Sequence, residues 1–360
     1  MFSGCVGQVP SRAWRQLSAM LLLAMSVFWL PASAQAPMQL RVVGGLAALN
    51  QYKRHEAPFW SQRLAQLSNG RYTAQIVPFD QAGIRGQELL TLVRIGTVPF
   101  GTMLVSLASP KDAELAAPDL AGLNPDAQSV RKVVAAFRPR LAALLRERHD
   151  AELLAVYIYP AQELFCARPI TGLTGVKGLR VRTSSVSQSD WIEALGGIPM
   201  TTPFSELVPN LRAGNVDCAI TGTMSGNTIG LHELTTHMHT MAINWGLAVF
   251  VAHGPTWRSL PTDLRELLQR ELPLLEAAIW DEAIRETEDG VACNTGVAGC
   301  KGGKAGRMVA VRPGAADDAL RRQILTTVVL PRWIARCGDD CGLTWNRLLA
   351  PIVGVEARDR

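Results

Sequence analysis

Strand and helix signals alternate along this chain from Leu40, and the alternation starts afresh after Tyr159. Leu40–Val43 is apolar and β-prone, and Gly44-Gly45 breaks it. Asn50–Leu67 reads as a helix with Tyr52, Phe59, Trp60 and Leu64 among its apolar positions. Tyr72–Val77 follows as a strand, Gln87–Ile95 as a helix and Val98–Val105 as an extended segment. Ser129–Arg146 places Val130, Val133, Val134, Phe137, Leu141, Leu144 and Leu145 on one helical stripe, and Leu153–Tyr159 is a buried strand. Beyond Tyr159, Glu163–Cys166, Leu179–Thr183 and Val216–Ile220 read as strands of a second sheet, with helices over Ser189–Leu195 and Phe204–Ala213. Leu247–Val251 then returns the chain to the first sheet. Alternation of this kind predicts mostly parallel sheets with helices on their faces. The expectation is an α/β fold of two lobes, each a βαβ sheet flanked by helices, hinged around a central cleft. Residues 37–160 with about 246–285 make lobe I, and 161–245 with about 286–360 make lobe II.

Three features of the C-terminal third complete the reading. Leu260–Glu286 is helical, with a kink expected at Pro273. Asn294–Gly306 is a Gly-rich loop, and a helix over Leu320–Leu330 is expected to stop at Pro331.

The first 34 residues read as a secretory signal peptide. Arg12 and Arg15 precede the apolar run Met20–Leu30, and Ala32-Ser33-Ala34 supplies small residues for cleavage, with Ala34-Gln35-Ala36 as a second candidate. Removing it takes two arginines and no acids, so the net charge of +5 falls to +3. About 325 residues would remain, enough for two cores. The basic residues are interspersed with acids, which argues against a nucleic-acid partner. An exported chain of this kind is expected in the periplasm, as a monomer.

Cys5 leaves with the signal peptide and six cysteines remain. The short separations of Cys293 from Cys300 and of Cys337 from Cys341 predict two local disulfides in an oxidising compartment. For Cys166 and Cys218, buried thiols and a bridge both stay open.

Residues 175–222 carry the chemistry. Arg182 stands at the far end of the strand Leu179–Thr183, followed by a turn rich in Ser and Thr. A cation beside the amide-rich start of a helix is a pre-formed carboxylate site: a planar fork plus backbone donors. Alone, Arg182 reads as a surface arginine. Its setting changes that reading. "Leu-Thr-Gly-Val-Lys-Gly-Leu-Arg-Val-Arg-Thr", "Glu-Ala-Leu-Gly-Gly-Ile-Pro", "Pro-Phe-Ser-Glu-Leu" and "Gly-Asn-Val-Asp" occur in order. Together they closely resemble the TRAP-transporter solute-binding proteins of the DctP type.

The resemblance implies a periplasmic-binding-protein-like fold, and a receptor without enzymatic activity or cofactor. It implies that Arg182 clamps a small organic carboxylate, which is delivered to TRAP membrane permease subunits. Thr221 stands where family members often carry a ligand-touching Asn, and Gln162 is a further hydrogen-bonding candidate. Ala161 occupies the place of a second arginine found in some members. Leu104-Val105-Ser106 falls where sugar-acid binders place an acid. Trp191, Phe204 and Trp245 are candidate aromatic walls, which with those substitutions favour a monocarboxylate with an apolar body.

Two other classes compete. His232-Glu233-Leu234-Thr235-Thr236-His237 approximates a zinc-protease motif but has one residue too many. On a helix that spacing turns the second imidazole roughly 140° away. A secreted metal-dependent hydrolase would therefore have to use His232, His237 and His239 from some other arrangement. A sensory module presenting ligand to a membrane receptor is the second alternative.

Overall fold

A computed structural model describes residues 1–5 and 36–358. The apolar run and cleavage sites of the expected signal peptide lie outside the described residues. Two sheets form, as the restarted alternation requires. The first contains β1 (Met38–Gly44), β2 (Tyr72–Pro78), β3 (Phe100–Leu104), β4 (Ala151–Tyr157) and β10 (Ala248–His253), in the order β2-β1-β3-β10-β4. The second contains β5 (Gln162–Cys166), β6 (Arg180–Thr183), β7 (Ile198–Thr201), β8 (Cys218–Gly222), β9 (His237–Asn244) and β11 (Val309–Val311), in the order β11-β9-β5-β8-β6-β7.

The sheets are mixed, which corrects the expectation of mostly parallel ones. β10 inserts antiparallel between β3 and β4, and β5 inserts antiparallel between β8 and β9. The reason is the wiring. Each of these strands enters its sheet directly from the other one, through residues 158–161 or 245–247, and so runs against the βαβ direction. Both are central and buried throughout or nearly so, which is why they read as continuous apolar runs.

The helix Ala127–His149 buries the predicted stripe, and the Asp126 side chain accepts from the Ser129 backbone N–H at 2.7 Å as its N-cap. The helix Thr262–Thr295 runs 34 residues, nine beyond the expected end, and continues through Pro273. Pro273 and Gln269 are both exposed, so water can satisfy the carbonyl that proline leaves without a donor. This helix touches both sheets' surroundings. Trp280 Nε1 donates to the Val156 carbonyl at 2.8 Å, and farther along Gly290 packs against the helix Thr223–Thr228. A Cβ on Gly290 would lie 2.3 Å from the Met224 nitrogen, so only glycine permits that approach.

The helical path also passes Pro331. Ala315–Ile324 leads through a widened turn, Leu325–Val329, into Leu330–Cys337. Pro331 falls in the first turn after that widening, where a missing N–H is tolerated.

Both short cysteine pairs are disulfides, and Cys166–Cys218 is a third. Cys166 and Cys218 are register partners on β5 and β8, a pairing set by strand register across 52 residues of sequence.

Candidate functional site

A cavity of about 740 Å³ opens between the two sheets. Its position follows from strand direction. Gln162 begins β5, while Arg182, Thr221 and Asn244 lie at or near the C-terminal ends of β6, β8 and β9. With β5 antiparallel to β8 and β9, all four reach the same edge of the second sheet. Ligands of open α/β sheets bind outside such strand ends. The facing wall combines the apolar Leu46, Leu49, Phe79, Ile84, Leu104 and Leu107 with the charged Asp80, Arg85, Glu88 and Lys111. Ser106 also lines the cavity, at the end of the first-sheet strand where the acid of sugar-acid binders was sought.

Arg182 is 2 % exposed. Its Nε donates to the Thr202 carbonyl at 3.1 Å and its Nη1 to the Ile220 carbonyl at 2.8 Å. Among the described residues no carboxylate pairs with it. Burial pulls its pKa down to about 10, which still leaves it a cation at neutral pH. Two carbonyls aim the guanidinium but cannot neutralise it. Arg180, two positions earlier, is different: it forms a two-point pair with Asp217, Nε to Oδ2 and Nη2 to Oδ1, both at 3.0 Å. Hydrogen bonding to Arg180 holds the Asp217 carboxyl below its usual range.

The cavity gathers Arg182, Thr221, Gln162 and Phe204, and it does not include Trp191 or Trp245. Trp191 is fully buried and packs at Gly122. Trp245 lies in the crossing segment, with Nε1 donating to the Asn124 carbonyl at 3.0 Å. Both tryptophans are buried, and neither ring lines the cavity. Ala161 is buried, its N–H donating to Thr287 Oγ1 at 3.0 Å, so no second arginine enters here.

Sequence reasoning missed Ser184, Thr202 and Asn244 as lining residues. The only local signal for Asn244 was its place at the end of a strand before the return crossing.

The histidines do not converge. His232 lies on the short helix Leu231–Leu234, and His237 hydrogen-bonds through Nδ1 to Thr236 Oγ1 at 2.9 Å. His239 is buried with Nε2 3.6 Å from Asp317 Oδ2, and burial lowers its pKa. Among the described residues no group with metal-ligating spacing contains a histidine, and the two that occur use cysteines tied in disulfides.

Residues 43–292 match the family described as bacterial extracellular solute-binding protein, family 7 (DctP). The chain belongs to that family. The resemblance to DctP-type TRAP solute-binding proteins thus holds, and the members are receptors rather than enzymes, which overturns the hydrolase alternative.

Solved structures agree in fold. DctP7 of Bordetella pertussis, an extracytoplasmic solute receptor binding pyroglutamic acid, is 18% identical with a TM-score of 0.73, over 88% of this chain and 99% of that one. A TRAP periplasmic solute-binding protein of Desulfovibrio salexigens with bound orotic acid is 17% identical with a TM-score of 0.76, over 88% and 99%. One of Shewanella oneidensis with bound succinate is 19% identical with a TM-score of 0.70, over 85% and 97%. Two-lobed architecture is therefore common to all of them.

Proposed function

We propose that this chain is the periplasmic receptor of a TRAP-type secondary transporter, capturing a small organic monocarboxylate through Arg182 and delivering it to the membrane permease subunits. The observation that carries the proposal is the buried guanidinium of Arg182, aimed into the cavity by two carbonyls and lacking a carboxylate partner among the described residues. A buried charge in that state gains most from an anion with two oxygens, which the planar fork meets at two points. Thr221 and Gln162 supply hydrogen bonds beside it, and Phe204 with the apolar wall receives the ligand's body. Arg182 is the buried cation of the cavity, position 161 is alanine, and the other lining cations, Arg85 and Lys111, are exposed, which favours one carboxylate over two. Pyroglutamic and orotic acids, bound by structural relatives, are compact monoacids of this kind.

In this reading the sheets centre two lobes, residues 37–160 with about 246–285 and residues 161–245 with about 286–360. They close about the crossings at 158–161 and 245–247, and the receptor works as a monomer. Calorimetric titration with pyroglutamate, orotate, other apolar monocarboxylates, succinate and malate tests it. Saturable binding of a monoacid, with diacids at least tenfold weaker, is expected. A preference for succinate or malate would reject the monocarboxylate assignment.

A further inference from the structure

A buried relay of hydrogen bonds runs from the turn after Arg182 to the crossing that returns the chain to the first sheet. The Ser184 N–H donates to Gln188 Oε1 at 2.7 Å, Gln188 Nε2 donates to Asn244 Oδ1 at 2.8 Å, and Asn244 Nδ2 donates to Asp119 Oδ2 at 3.0 Å. Asp119 also accepts from the Trp245 N–H at 2.8 Å through Oδ1 and from the Leu247 N–H at 3.0 Å through Oδ2. Gln188 is 0 % exposed and Asn244 2 %, so the hydrogen bond between them is buried.

The relay has one polarity. A carboxylate only accepts, so Asp119 turns the Asn244 amide with its nitrogen inward. That leaves the Asn244 oxygen for Gln188, and the Gln188 oxygen for the Ser184 N–H. Both ends matter to the cavity, because Ser184 and Asn244 line it. Asp119 closes the short helical segment Ala113–Asp119, which packs on the helix Ala127–His149. The Asn244–Asp119 bond therefore joins the second sheet's strand end to the first lobe's surroundings. Gly246, at φ +60°, lets the crossing turn tightly around that carboxylate.

We propose that Asn244 is a positioning residue of the ligand cavity, coupling through Gln188 and Asp119 the turn beside Arg182 to the crossing at 245–247. The proposal rests on the cavity being the ligand site. No ligand enters its test, so failure of the relay leaves the receptor reading standing, and a failed ligand screen leaves the relay standing.

The test is amide hydrogen exchange followed by NMR on the ligand-free protein. Gln188→Met keeps the side-chain volume but cannot donate or accept as the amide does. It should accelerate exchange at Trp245 and Leu247 by about fivefold or more, although Gln188 hydrogen-bonds to neither. Val249, inside β10, should be unchanged. In the reverse direction, Asp119→Asn removes the fixed polarity and should accelerate exchange at Ser184. Unchanged exchange at Trp245 and Leu247 in Gln188→Met would overturn the coupling. So would equal acceleration at Val249, which is general loss of stability.

Discussion

The first-lobe wall of the cavity packs Leu46, Leu49, Phe79 and Leu104 and keeps its cations, Arg85 and Lys111, exposed at the surface, whereas the facing wall presents a buried guanidinium among hydroxyls and amides. The same contrast recurs within β6, where Arg180 has Asp217 and Arg182 has only carbonyls. A cation with a partner inside the protein is a structural element. One aimed at a cavity without a partner holds its interaction energy in reserve for a ligand. The apolar wall then excludes water and raises the worth of that contact. In the proposed function, anchoring and shape selection are divided between the two walls.

The largest effect should come from removing the anchor. Arg182→Ala is expected to weaken binding of the identified carboxylate by about 2–5 kcal/mol, because its oxygens are left desolvated and unpaired. Arg182→Lys should also lose most of the affinity, since an ammonium cannot form the planar two-point contact. Calorimetry on folded variants measures both, and near-wild-type affinity in Arg182→Ala would remove the anchor from this account. Arg180→Ala is the matched control and should leave affinity within about twofold, as its partner lies in the protein.

The two sheets also differ covalently, since Cys166–Cys218 ties β5 to β8 and no disulfide crosses the first sheet among the described residues. Replacing both cysteines by alanine should cost about 2–4 kcal/mol of stability, as a loop of this length is released in the unfolded chain. Denaturant titration measures the loss, and exchange should rise in β5 and β8 before β3 and β10. Equal rises in both sheets would mean that the bridge does not distinguish them.

Protonation separates the crossing from the protein surface. Burial raises Asp119 to about 6 and Glu286 to about 7, above their unfolded values. Stability from that proton uptake is fully present below the unfolded pKa near 4 and is lost as pH rises through the folded values. Acids paired with arginine, such as Asp217 and Asp318, are shifted downward and act in the opposite sense, losing stability only as pH falls below about 4. Stability should therefore decline between about pH 4 and 7, by on the order of 1–3 kcal/mol. Asp119→Asn should flatten that slope, and an unaltered slope would place the linkage elsewhere. Beside the anchor, on the same lobe, Phe204→Ala should weaken binding by about 1–2 kcal/mol through lost apolar contact, less than loss of the anchor. An equal or larger loss would mean that apolar contact, and not the guanidinium, dominates binding.

Much of the fold was legible because its signals are local. The stripe on Ala127–His149 and the apolar runs at β5 and β10 are periodicities read within a dozen residues. Pro331 misled because a widened turn absorbed the missing donor, a choice made by packing rather than propensity. Trp191 and Trp245 misled because an aromatic near a site motif carries no information about which way its ring points. Asn244 went unseen because its partners, Gln188 and Asp119, lie 56 and 125 residues away.

The sequence by itself determined the two rounds of strand and helix, the short cysteine pairs and the motif that marks residue 182. Apart from that motif, residue type and strand position do not separate Arg180 from Arg182, which share one strand and nearly one context. Their difference was decided by Asp217, 37 residues beyond Arg180, whose carboxylate reaches the near end of β6 and not the far end. Hydrogen bonds and charge pairing act over a few ångströms, so they depend on which distant segments the fold brings together. Only the tertiary structure could leave one arginine satisfied and the other open to a ligand.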